Sequence, residues 1–115
     1  MPVSVISQQL LVDASAEGDS VATPQVFRHL GAVSTKHVIQ WAEGVSAGEV
    51  TIEEAMKEDY AGSWALVATV TFDGSVTPAP KIDVVNTVAS GRAYRHRITG
   101  VVVDGTVTTY IAGSE

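Results

Sequence analysis

Hydrophobic positions in this chain recur at every second residue in several stretches, which is the period of a half-buried strand. In "GEVTIE" (48–53), Val50 and Ile52 fall on one face while Glu49, Thr51 and Glu53 fall on the other. The same alternation predicts strands in "TKHVIQWAE" (35–43), "SWALVATVTF" (63–72), "IDVVNTVA" (82–89) and "RAYRHRIT" (92–99). "QVFRHL" (25–30), opened by Pro24, is a further strand candidate. "TIEEAMKEDY" is the one stretch with helix-forming residues, but the alternation running into it favours a strand. "VTPAPK" carries Pro78 and Pro80, which cannot donate to a ladder, so it reads as a loop or an edge.

Two Asp-Gly pairs, Asp73-Gly74 and Asp104-Gly105, stand between extended flanks. Asp-Gly suits the positive φ angles of a type I′ turn, so "VVVDGTVTTYI" predicts a tight hairpin. About eight short strands at regular spacing predict an all-β fold, an antiparallel β-sandwich with a jelly roll as one form of it. Residues 1–19 end in the small, acidic "DASAEGDS", which predicts an N-terminal arm (1–19) preceding a sandwich domain (20–115).

Composition sharpens this picture. The chain has 115 residues, so one domain is expected. Val and Thr abound, as a pleated surface prefers. There is no cysteine, hence no disulfide framework and no thiolate metal site. The N-terminal stretch reads as neither a signal peptide nor a membrane span, so the protein is expected to be made in the cytoplasm and not secreted. Net charge is −6, which argues against a nucleic-acid partner.

Candidate chemistry is thin. His29, His37 and His96 show no metal-ligand spacing and read as surface or strand-edge residues, so no metal is expected. No serine sits in a nucleophile elbow, and no glycine loop carries the lysine of a phosphate cradle. Asp73, Asp83 and Asp104 lack a calcium-loop pattern, and turn formation accounts for Asp73 and Asp104. Trp41, Trp64, Tyr60, Tyr94 and Tyr110 could stack on a sugar if exposed. Trp41 and Trp64, however, sit among apolar strand residues and read as core or interface. Leu66, Ala68 and Val70 extend one face with Trp64, which predicts a buried ring there.

"EDYAGSWALVATVTF" (58–72) resembles a turn and strand of small β-sandwich structural proteins of tailed bacteriophages. In those, an acidic, glycine-containing turn precedes Trp and an apolar strand. Their Asp-x-x-Gly-x-Trp pattern is met by Asp59, Gly62 and Trp64, with Tyr60 and Ala61 inside the turn as a departure. "KHVIQWAEGVSAGEVTIEEA" resembles the preceding strand, loop and strand of the same modules. "GRAYRHRITG" resembles their aromatic-Arg strand through Tyr94 and Arg95. The likeness spans residues 25–112. It implies a non-enzymatic virion protein without a cofactor, a capsid decoration (cement) protein first and a neck or tail component second. The implied partners are the major capsid protein or another virion protein, and copies of itself, with a trimer favoured. A carbohydrate-binding β-sandwich module is the alternative from a different class.

Charge segregation suggests where contacts would form. Arg92, Arg95 and Arg97 fall within six positions of an acidic chain. Alternation puts Arg95 and Arg97 on one face, and Glu49, Glu53 and Glu54 are the carboxylates that could meet them. Two readings stand side by side: a contact between subunits, or a cross-strand pair within one chain.

Overall fold

A computed structural model describes residues 5–19, 33–57, 59–89 and 93–114. They form eight strands and no helix: β1 (Val5–Ala14), β2 (Gly18–Asp19), β3 (Val33–Trp41), β4 (Ala47–Ala55), β5 (Ala65–Asp73), β6 (Lys81–Ala89), β7 (Ala93–Val103) and β8 (Val107–Ser114). "QVFRHL" (25–30) and Arg92 lie outside the described residues. All strand pairings are antiparallel, in two four-stranded sheets of order β1-β8-β3-β6 and β2-β7-β4-β5. Among the described strands, only β4 and β5 are neighbours both in sequence and in one sheet. Each other step from one described strand to the next changes sheet, which is the winding of a jelly roll. The all-β sandwich expected from alternation is therefore present.

The core fills the space between the sheets. Ile39, Trp41, Val107 and Ile111 from the first sheet meet Val50, Ile52, Phe72, Tyr94 and Ile98 from the second, all buried. Trp41 stacks on Phe72 with ring centroids 5.2 Å apart, and its indole N–H donates to Asp83 Oδ2 at 2.9 Å. Gly48 lets the backbone of β4 pass beneath that indole. A Cβ there would stand 2.7 Å from Trp41 Cζ3.

Three expectations are corrected. The hairpin at Asp104-Gly105 is absent: β7 pairs with β2 and β4, and β8 pairs with β1 and β3. Asp104 does adopt the positive φ, 64°. The turn is pinned to the β3–β4 connection, however, by Ser46 N–H to Val103 O and Ser46 Oγ to Asp104 Oδ2, both 3.0 Å. It turns the chain between sheets rather than within one.

The arm over residues 1–19 is likewise part of the sandwich from Val5 onward. β1 pairs along β8, and both Leu10 and Leu11 are buried. A register shift between Gln9 and Leu11 turns these two adjacent side chains inward, so strict alternation fails there.

Trp64 is half-buried, not a core residue. A bulge opposite Ile52 and Glu53 sends Val67 toward the core and leaves Leu66 64% exposed. That extra residue reverses the face on which Trp64 and Leu66 were expected.

Candidate functional site

β7 carries the concentration of arginine and histidine, and its alternation divides them between two environments. Tyr94, His96 and Ile98 point inward and are buried, while Arg95 is mostly covered and Arg97 exposed on the outer face.

On the outer face, β4 brings Glu53 opposite Arg95. Arg95 Nε donates to Glu53 Oε1 at 2.7 Å, with both side chains largely covered. The guanidinium also lies over the Trp64 ring, 4.5 Å from its centroid, a cation–π contact. Trp64 in turn donates its indole N–H to the Tyr60 carbonyl at 3.0 Å. A side chain at Gly62 would run into the Tyr60 phenol. Asp59-x-x-Gly62-x-Trp64 is thus a turn that folds back and clamps the β4–β5 connection onto β7. The ion pair forms within one chain, so of the two readings of the charges, Arg95 and Glu53 realise the intramolecular one.

Glu49 accepts from Thr99 Oγ1 at 2.7 Å and Thr71 Oγ1 at 3.3 Å, tying β7 to β5. Glu54 is half-buried opposite Tyr94, and Arg97 lies opposite Thr51 and Asp19.

Inside, the surface or edge placement expected for the histidines is overturned: His37 and His96 are completely buried and touch each other. His37 Nδ1 lies 2.9 Å from His96 Nε2. His37 Nε2 is 2.9 Å from Thr87 Oγ1, and His96 Nδ1 is 2.7 Å from Thr109 Oγ1. One proton order satisfies every member of the chain at once. Thr87 Oγ1 donates to the Thr35 carbonyl at 3.4 Å, so it accepts from His37 Nε2–H. His37 Nδ1 then accepts from His96 Nε2–H, and His96 Nδ1 accepts from the Thr109 hydroxyl. That hydroxyl itself accepts from the Leu11 backbone N–H at 3.1 Å. In that order both rings are neutral Nε2–H tautomers, and each ring nitrogen is in hydrogen-bond contact.

Burial pushes His37 down to about 4. Burial, and then the neighbouring His37, push His96 down to about 3. The His37 ring meets Tyr94 edge-on, 5.0 Å between centroids. This network bridges the two sheets and holds β1, β3, β6, β7 and β8 in one polar thread. Sequence spacing could not reveal it, because the two histidines are far apart along the chain. The available sign was only that both fall on the apolar phase of their strands. Among the described residues, no group of three His, Asp or Glu side chains is placed to hold a metal ion.

A third feature crosses one end of the first sheet. A trough of about 660 Å³ is lined by Asp13, Gln40, Trp41, Pro80, Lys81, Ile82 and Thr108, among others. Gln40 faces Thr108 on one side and Ile82 on the other. Asp13, at φ 44°, donates its backbone N–H to Thr108 Oγ1 at 3.0 Å. Carboxylate, hydroxyl, amide and alkyl side chains thus run in a row across all four strands.

Comparison with known proteins adds to the fold. No protein-family model and no curated protein sequence matches the chain. Among solved structures, it is similar to the K2 cleaved adhesin domain of Lys-gingipain (Kgp), with TM-score 0.55 and 14% sequence identity. The match covers 86% of this chain and 63% of that one, so the chain spans less than two thirds of that domain's length. A likeness at this identity carries the β-rich architecture and no activity.

Proposed function

We propose that this jelly roll is a non-enzymatic structural subunit of a phage-like particle, acting as a capsid decoration protein that docks on the assembled shell. The observation that carries the reading is an apolar strip across the outer face of the first sheet. Val84, Val38 and Tyr110 lie in register there, and Ile82 adjoins them. Val84 and Ile82 are 49% and 59% exposed. A grouped apolar strip of this kind suits a docking surface. A protein that binds the closed shell and not its separated parts stabilises it by mass action. Of the residues that carry the resemblance, Gly62, Trp64 and Arg95 belong to one surface clamp, which Glu53 completes.

Co-sedimentation with purified particles from the producing host tests this. Binding should raise the temperature at which the shells open, and Val84→Asp should weaken it. Absence of the protein from particles, with no effect on their heat stability, would contradict it.

The trough favours a second reading, a carbohydrate-binding module. Hydroxyl, amide and carboxylate groups beside the alkyl surface of Ile82 and Pro80 suit a neutral sugar, which has polar edges and an apolar face. Saturation-transfer NMR with neutral oligosaccharides would show contacts, lost in Gln40→Ala, if this reading holds. No transfer would remove it.

A further inference from the structure

The two long sides of the sandwich are finished differently. One side is bounded by β1 and β2. β1 is broken by two register shifts against β8, and β2 is two residues long. Short, bulged edges of this kind do not template another strand. Contacts between β1 and β7, and the bond from Val102 N–H to the carbonyl of Ser15 just past β1 at 2.9 Å, place β1 over the β2 side. β6 therefore stands over β5 on the opposite side.

There both edge strands are nine residues long. β6 pairs with β3 over its whole length without a shift. Its two charges, Lys81 and Asp83, sit at its start and engage each other at 3.1 Å. From Val84 to Ala89 it carries neither charge nor proline, and β5 carries none before Asp73. Among the described residues, nothing pairs with the outer edge of either strand. Among the described residues, the usual protections of a strand edge are thus present on one side and absent from the other.

We propose that the β5–β6 side is a self-association surface, in which β6 pairs antiparallel with β6 of a second copy about a two-fold axis at Val85. This register uses the entire strand. Val85 meets itself, Val84 meets the partner's Asn86, Ile82 meets the partner's Val88, and Asp83 meets the partner's Thr87. No charge opposes its like, whereas an axis at Asp83 would set two carboxylates face to face. Even positions meet even positions, so the outer faces stay outward and the Ile82–Val84 strips of both copies join. Two four-stranded sheets become one, and the β5 edges close toward each other about the same axis. The pairing rests on the assembly reading above for its use, not for its geometry.

The test is register-specific. Val84→Lys with Asn86→Lys places lysine against lysine across the axis. Val84→Lys with Asn86→Glu places lysine against glutamate, twice. Sedimentation velocity at micromolar concentration should show the unaltered protein as a dimer, the Lys/Lys form as a monomer, and the Lys/Glu form as a dimer again. Circular dichroism checks that each variant is folded. Should Lys/Lys fail to fold, hydrogen exchange of the unaltered protein at rising concentration replaces it, with protection expected to grow in β6. A monomeric unaltered protein, no gain of β6 protection, or equal behaviour of Lys/Lys and Lys/Glu would overturn the proposal. Particle co-sedimentation of the unaltered protein separates the two ideas: particle binding by an unaltered protein that is monomeric sinks the pairing alone, and an unaltered dimer that ignores particles sinks the decoration role alone.

Discussion

The two faces of β7 present the same kinds of residue, cationic or cationisable, in opposite surroundings. Outward, Arg95 lies beside Glu53 and Trp64, part-covered and near water. Inward, one residue along, His96 is sealed between the sheets, and burial, then the neighbouring His37, holds it neutral, with His37 and Thr109 at its two ring nitrogens. Charge is tolerated where water and a carboxylate are at hand. In the interior, a titratable side chain persists only by giving up its charge to a hydrogen-bonded chain. The inner face therefore stores stability that depends on pH and on completeness, while the outer face stores little.

Acid should show the contrast most strongly. The unfolded chain protonates His37 and His96 near 6.5, but the folded chain holds them neutral to about 4 and about 3. Between those limits the unfolded state binds more protons, so stability is complete above about pH 6.5 and falls as pH drops toward 4. The slope approaches roughly 3 kcal/mol per pH unit while both contribute, at about 1.4 for each. A loss of this size rivals the whole stability of a small domain. Thermal melts from pH 7.5 to 4.5 should show it, and a flat profile would break the comparison.

His96→Ala comes next. It leaves a cavity and strips a partner from both His37 and Thr109, for a cost of about 3–5 kcal/mol in chemical denaturation. On the other face, Arg95→Ala should cost only about 1 kcal/mol, because the pair with Glu53 remains partly solvated. Trp64→Ala should cost a similar amount, about 1 kcal/mol, by loss of the cation–π contact. If either outward change matched His96→Ala, the division between the faces would be wrong. The smallest effect is a gain. Thr35 Oγ1 is buried without a hydrogen-bond partner among the described residues. Thr35→Val should therefore raise the melting temperature slightly, on the order of 1 kcal/mol or less.

Alternation made most of this fold readable. It placed β3 through β8 to within a few residues, and it put Tyr94, His96 and Ile98 opposite Arg95 and Arg97. The Arg95–Glu53 pairing was also within reach, since both lie on the polar phase of their strands. What escaped were departures from period two. Val67 in β5 and Leu10 in β1 are single extra residues that reverse a face, and no local pattern marks them. Asp104-Gly105 has the chemistry of a tight turn, but which sheet each flanking strand joins is decided by distant partners. The meeting of His37 and His96 is likewise a product of topology. It follows only once β3 and β7 are known to face each other across the core.

The claim on which the comparison stands is that the two histidines are a neutral, structural thread. Two-bond proton–nitrogen NMR of the imidazoles, followed from pH 8 to pH 4 with and without added zinc, addresses it most directly. His37 and His96 should both appear as fixed Nε2–H tautomers, unmoved by zinc and not titrating until the pH nears 4. A midpoint near 6.5 in the folded protein, an Nδ1–H tautomer at either ring, or a shift on adding zinc would contradict it.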